Sequence, residues 1–193
     1  MIILGRRQQF MIGLILAAVM AATRFNHFGS SLSLPDASLA VFFIAGIYLR
    51  RTIWFPILIV EAGLMDWASI WGGVSDWCVT AAYGFLIPTY ASLWFAGRWY
   101  ARRARIEWRT LLPLLGSLGT ALVVAFTISN ASFYLLSGYF DELGWRDYVR
   151  GVIGYFPAYA GYTLLYTAGA LAVQAFALAL PGRFRPASSG GIT

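Results

Sequence analysis

The chain has 193 residues, of which 60% are hydrophobic and only 11% are charged, and its mean hydropathy is +0.69. Because a soluble domain carries about 25% charged residues, this composition predicts an integral membrane protein. The net charge of +6 does not indicate nucleic-acid binding, since the arginines alternate with apolar stretches and form no continuous basic stripe.

Six apolar segments follow one another along the chain, and most approach the roughly 20 helical residues that a bilayer core requires. Pro35-Asp36 is typical of a helix start, and Pro88 and Pro157 predict kinks in the fourth and sixth segments. We therefore expect an all-α, six-helix transmembrane bundle in a single domain over residues 1–180, followed by a polar, disordered tail over residues 181–193. The predicted spans cover residues 9–25, 36–49, 53–71, 76–99, 111–137 and 148–180.

The arginines predict the orientation of these spans. Eleven of the 14 basic residues lie at the chain ends or in alternate joints, whereas Arg24, Arg146 and Arg150 lie in the other joints. Because cytoplasmic joints retain positive charge, both termini are expected in the cytoplasm of a multi-pass membrane protein. A functional site is expected at the opposite, outer end, where the polar residues are His27, Asp36, Asp66, Asp76, Cys78, Asp141, Glu142, Asp147 and Arg150.

Cys78 is the only cysteine, so the chain has no internal disulfide. If Ser75 caps the fourth helix, Cys78 occupies its third helical position, where the helix dipole favours a thiolate. Asp76 and the apolar surroundings act in the opposite direction, and the sequence does not decide between them. Cys78 is either a reactive thiol or a small apolar packing residue.

Two further ionisable residues are candidates for the same site. Asp66 lies about one turn before the outer end of the third segment, and an ionisable group within a span usually faces a cavity or a partner. We expect Asp66 to pair with Arg150, either within a ligand site or as a structural salt bridge. His27 is the only histidine, so it ligates a metal, moves a proton or is simply solvated, and a zinc site is not expected. No phosphate-binding loop is present, so no nucleotide is expected either.

Five tyrosines of the sixth segment, at offsets of 7, 4, 3 and 4 residues, share one helical face. They line a pocket for a large, flat, amphipathic ligand, or they pack against neighbouring helices through hydroxyl hydrogen bonds. Tyr83 and Phe85 add to the wall near Cys78, although Tyr83 does not share its helical face. The five tyrosines are Tyr148, Tyr155, Tyr159, Tyr162 and Tyr166.

Residues 9–180 resemble the BtuM family, small membrane proteins regarded as cobalamin transporters and similar to the substrate-binding subunits of energy-coupling factor transporters. The resemblance depends on the six-span architecture and on three short segments around His27, Asp66 and Cys78, which read Asn26-His27-Phe28, Met65-Asp66-Trp67 and Asp76-Trp77-Cys78. It implies that Cys78 is the catalytic residue and the ligand of cobalt. It further implies that His27, Asp66, Tyr83 and Arg150 contribute to the pocket, beside Tyr155 and Tyr159 of the tyrosine face.

The resemblance implies binding and uptake of cobalamin or another corrinoid across a bacterial inner membrane, with the binding site facing the periplasm. A Cys78 thiolate would occupy one axial position of cobalt and promote loss of the upper axial ligand, for example cyanide. Two alternatives stay open: a similar transporter for another flat vitamin such as a flavin, and a membrane enzyme that processes cobalamin. The small residues Ala17, Ala18, Ala21 and Ala22 either dock an energy-coupling factor module or pack within the bundle.

Overall fold

The computed structural model describes residues 5–25, 34–103 and 111–179, without the side chains of Phe25 and Leu178. Every regular element in these ranges is a helix, which confirms the predicted all-α class. The elements are α1 (Arg6–Phe25), α2 (Ser38–Tyr48), α3 (Trp54–Trp71), a 3-10 helix (Ala81–Phe85), α4 (Leu86–Arg103), α5 (Leu111–Leu136), α6 (Trp145–Ile153) and α7 (Phe156–Ala179).

The fourth predicted segment starts differently from the sequence-based expectation. Residues 76–80 are not helical, and Ser75 accepts only a local bond from the backbone N–H of Trp77 at 3.2 Å. The side chain of Thr80 instead caps the 3-10 helix by accepting from the N–H of Ala82. The predicted helix start at Ser75 is therefore wrong, and Pro88 lies in the first turn of α4, where a missing N–H is tolerated.

The sixth predicted segment is two helices rather than one kinked helix. The first, α6, ends at Ile153 with Gly154 as its C-cap, and α7 begins at Phe156 with Pro157 in its first turn. Gly154 has helical dihedral angles, φ −61° and ψ −19°, so the break does not depend on the freedom of glycine, whereas proline in the first turn of α7 is favoured because it needs no N–H. The break separates Tyr148 from the other four tyrosines.

The core forms where α2 lies against α4 with their backbones in contact. A Cβ atom added at Gly46 would lie 2.2 Å from the carbonyl oxygen of Trp94, and one added at Gly97 would lie 2.2 Å from that of Phe43. Only glycine fits this crossing. Next to it, Phe42 stacks on Tyr90 with ring centroids 4.3 Å apart. Helix α5 packs against α4, and α1 packs against α3 and α2.

By length and hydropathy alone, α5 with its 26 residues is the one helix of the described ranges that qualifies as a membrane span. Helix α2 is apolar but has only 11 residues. Glu61 and Asp66 lower the hydropathy of α3, and α1 carries arginines at both of its ends.

Candidate functional site

A cavity of about 620 Å³ lies at one end of the bundle, among the end of α3, residues 72–80, the start of α4, the second half of α5 and the start of α7. Its size is in the range of small-molecule sites. Exposed residues at its rim leave it open to the surface, and buried Arg24 lies at its inner end. The lining includes Asp66, Trp77, Cys78, Tyr83, Asn130, Tyr155, Tyr159 and Tyr162.

Arg24 lies at the centre of the inner end of the cavity, and only 7% of its surface is exposed. Its Nε donates to Oδ1 of Asp66 at 2.5 Å and its Nη2 donates to Oδ2 at 2.6 Å, a bidentate pair of the strongest type. Its Nη1 donates to the hydroxyls of Ser38 at 3.0 Å and Tyr90 at 2.6 Å. These contacts join α1 to α2, α3 and α4. We call Arg24, Asp36, Ser38, Asp66, Tyr83 and Tyr90 the floor network.

Asp36 is the second carboxylate of the floor network. Its Oδ1 accepts from the backbone N–H and the hydroxyl of Ser38, at 2.9 and 2.6 Å, which supports the start of α2. Its Oδ2 lies 3.6 Å from Nη1 of Arg24, beyond hydrogen-bond distance, and 32% of the side chain is exposed. The network thus contains one guanidinium and two carboxylates.

Cys78 is exposed on the wall of the cavity and precedes the helix that was expected to contain it. The proposed effect of a helix dipole on its thiol is therefore wrong. Partial burial raises the pKa of the Cys78 thiol, and the negative charge of Asp66 raises it further. The thiol is consequently protonated in the free protein at neutral pH, and binding a metal would release its proton.

Two contacts hold the wall around Cys78. The Tyr83 hydroxyl donates to Oδ2 of Asp66 at 2.7 Å, which connects the 3-10 helix to the floor network. The Trp77 ring stacks on Tyr139, with centroids 3.8 Å apart and an interplanar angle of 7°. Residues 72–80 are thereby fixed against the segment that follows α5.

The tyrosines of the sixth segment divide between the two expected roles. Tyr155, Tyr159 and Tyr162 line the cavity. Tyr148 donates to the carbonyl of Asn130 at 3.0 Å and Tyr166 donates to that of Pro35 at 2.7 Å, so these two bond across the bundle. The Tyr159 hydroxyl is buried and has no hydrogen-bond partner among the described residues.

The expected pair of Asp66 with Arg150 is wrong, because Arg24 occupies both oxygens of Asp66. Arg150 lies on α6 outside the cavity lining, with its side chain 80% exposed, and it contacts Asp147 at 3.4 Å. His27 lies outside the described residues.

The charge pattern predicts Arg24 and Asp36 in outer joints and does not connect them to Asp66. The sequence does carry a signal for Arg24, which follows the apolar run 10–22 and lies in the last turn of α1. A charge in that setting needs a partner from a neighbouring helix. The helical period alone does not identify which carboxylate it meets.

No protein-family model matches the chain, and a search of curated proteins found no match.

Proposed function

We propose that this protein binds cobalamin or a related corrinoid and takes it up across the inner membrane of a bacterium. The observation that carries the proposal is that the only thiol of the chain lies on the wall of a cavity, beside aromatic side chains. A flat macrocycle can stack on these rings while the sulfur approaches its metal.

The proposed six spans, with both termini in the cytoplasm, are supported by where the cavity lies. Its lining comes from the end of α1, the start of α2, the end of α3 and the start of α4, which all meet at one end of the bundle. Arg6, Arg7, Arg98, Arg102 and Arg103 lie at the opposite helix ends. If positive charge marks the cytoplasmic side, the cavity faces the periplasm.

Large exposed apolar side chains on several helices also favour a lipid environment. A soluble monomer rarely exposes large apolar side chains on so many of its helices. Examples are Phe10, Met11 and Ile15 on α1, Val60 and Leu64 on α3, Ile87 and Phe95 on α4, Leu112 and Leu115 on α5, and Leu165, Val173 and Phe176 on α7.

The chemistry that we propose needs one protein ligand. Cys78 would supply it, and the corrin ring of the substrate would supply the equatorial ligands; the described ranges contain no group of three His, Cys, Asp or Glu side chains that could hold a metal ion. A thiolate is a soft donor that can take the lower axial position in place of the nucleotide base.

Cys78 would bind cobalt after losing its proton to water. Electron donation from the sulfur weakens the bond on the opposite face, and an upper cyanide leaves as cyanide with its bonding pair. The oxidation state of cobalt is unchanged in this step, so no reductant is consumed. The second part of the proposal is therefore a thiolate-assisted decyanation that accompanies capture.

The test is the cobalt content and visible spectrum of protein purified from cells grown with cobalamin. We expect a coloured protein that contains cobalt, and we expect Cys78→Ser to lose the sulfur-to-cobalt absorption band. Matched thermal unfolding of both proteins controls for folding. An unchanged spectrum in Cys78→Ser would eliminate direct ligation.

The same preparation separates the alternative functions. A flavin or another metal-free vitamin in place of cobalt would favour a transporter for that ligand. Repeated turnover of cyanocobalamin without uptake into vesicles would favour a membrane enzyme.

We also propose that α1 can dock an energy-coupling factor module. Ala18 and Ala22 are exposed, whereas Ala17 and Ala21 are half-buried, so one pair of small residues faces away from the bundle. Co-purification from native membranes tests this, and uptake by the isolated protein in vesicles would contradict a required module.

A further inference from the structure

We infer that the cavity floor selects its ligand by charge: Asp36 accepts an amide N–H or a cationic group and disfavours a carboxylate. Where the ligand is named as a corrinoid, the inference rests on the proposed function. The charge selectivity itself depends only on the floor network and the cavity.

The guanidinium at the floor is already occupied. Nε and Nη2 of Arg24 donate to Asp66, and Nη1 donates to Ser38 and Tyr90. Four of the five N–H donors of the guanidinium are therefore used. A ligand carboxylate would find almost no donor there, although an arginine in a cavity is commonly an anion site.

The formal charges of one guanidinium and two carboxylates sum to −1. Asp66 takes the bidentate contact, so Asp36 carries the excess charge. Its Oδ2 has no hydrogen-bond donor among the described residues, and Asp36 lines the cavity. Counted over the residues that the structure describes, the floor is thus short of donors and has an acceptor available.

The hydroxyl of Tyr159 is a second polar group of the cavity that has no hydrogen-bond partner among the described residues. Its hydroxyl oxygen is buried on α7, and its side chain lines the same cavity. Buried polar groups in native proteins are almost always paired, so the hydroxyl can take a partner from a water molecule or from a polar group of a ligand. A ligand amide can donate its N–H to Asp36, and Tyr159 is a second polar group in the same lining.

The predicted selectivity distinguishes classes of corrinoid. Peripheral carboxamides are neutral donors, whereas peripheral carboxylates repel the excess charge of Asp36 within a cavity of mainly apolar walls. We therefore expect amidated corrinoids to bind and their carboxylate counterparts to be disfavoured.

The first experiment needs no corrinoid. Cys78 is the only thiol, so thiosulfonate reagents with a trimethylammonium or a sulfonate group report the potential in the cavity. The quantity measured is the rate at which Cys78 reacts with the cationic reagent divided by its rate with the anionic reagent. We expect this ratio to be higher than for free cysteine, and to fall roughly fourfold in Asp36→Asn. That factor is what one unit charge produces in water at an assumed distance of about 10 Å, and added salt should reduce it.

Asp36→Asn is a conservative change, because the amide oxygen can still accept from Ser38. The matched control is Asp141→Asn, an exposed residue outside the cavity lining, which should keep the wild-type ratio. An unchanged ratio in Asp36→Asn, with the protein folded, overturns the inference.

The second experiment compares an amidated corrinoid with its carboxylate derivative by visible titration. We expect the wild type to bind the amide at least about tenfold more tightly, and Asp36→Asn to narrow this difference. Equal binding of both ligands by both proteins overturns the inference but leaves the proposed function intact. If neither corrinoid binds, but the ratio of the two thiosulfonate rates still falls in Asp36→Asn, the floor is charge-selective and the proposed corrinoid function is wrong.

Discussion

Replacing Arg24 with methionine tests whether the floor network holds the bundle together. Methionine keeps much of the length and apolar contact of the side chain but removes every N–H donor. Asp66, whose side chain is 17% exposed, would lose two charge-assisted bonds, and Ser38 and Tyr90 would lose one bond each. The change therefore leaves a carboxylate without its counter-ion in the core.

Breaking a buried ion pair by removing one partner costs about 3–5 kcal/mol of unfolding free energy. At about 2–4 °C per kcal/mol for a chain of this size, the melting temperature should fall by roughly 6–20 °C. Arg150→Met is the matched control, because it removes the same group from a pair with Asp147 whose side chains are 80% and 64% exposed. An exposed pair is worth about 0–1 kcal/mol.

The assay is unfolding of purified protein in detergent, followed by circular dichroism. A double variant, Arg24→Met with Asp66→Asn, should lose less stability than the sum of the single variants, because the uncompensated charge is gone. Equal losses for Arg24→Met and Arg150→Met would refute the idea that the floor network stabilises the bundle.

Three further predictions concern single positions. Gly46→Ala should lower the free energy of unfolding by about 1–3 kcal/mol, because its methyl group would meet the carbonyl oxygen of Trp94. The control Gly116→Ala places its methyl group in open space and should not destabilise the protein, so equal unfolding free energies for the two variants would contradict the close crossing of α2 and α4. Alkylation of Cys78 should have its midpoint at a higher pH than alkylation of an unstructured cysteine peptide in the same buffer, because burial and the charge of Asp66 raise the thiol pKa and leave less thiolate at a given pH. A midpoint at or below that of the peptide would contradict the electrostatics. Tyr159→Phe should leave unfolding stability unchanged or slightly higher, since the hydroxyl has no partner in the described ranges; a loss above about 1 kcal/mol would reveal one.

The all-α class and most helix ends were predictable because apolar runs and helix-start residues act locally. Asp36 illustrates this, since its side chain bonds the first turn of α2 close to where the sequence predicts a start. The break between α6 and α7 was only half predicted. Gly154 and Pro157 carry the local signal, but the hydropathy continues across them, and continuous hydropathy suggested one long helix.

The site was harder to predict because its charges come from distant parts of the chain. Cys78, Asp66 and Tyr83 could be named as candidates, but Arg24 meets Ser38 across 14 positions and Asp66 across 42. Such contacts depend on helix packing, which a helical period does not encode.

Asp66 connects the stability of the fold to the reactivity of the site. It holds Arg24 through both oxygens, receives the hydroxyl of Tyr83 on one of them, and raises the pKa of the Cys78 thiol through its charge. Any change in the Arg24 pair therefore alters the field at the sulfur even though Arg24 bonds none of its atoms. Loss of ligand binding in a variant of the floor network therefore does not prove that the substituted residue contacts the ligand. Only substitutions that preserve the Arg24–Asp66 pair, such as Asp36→Asn, can separate an effect on ligand recognition from an effect on folding.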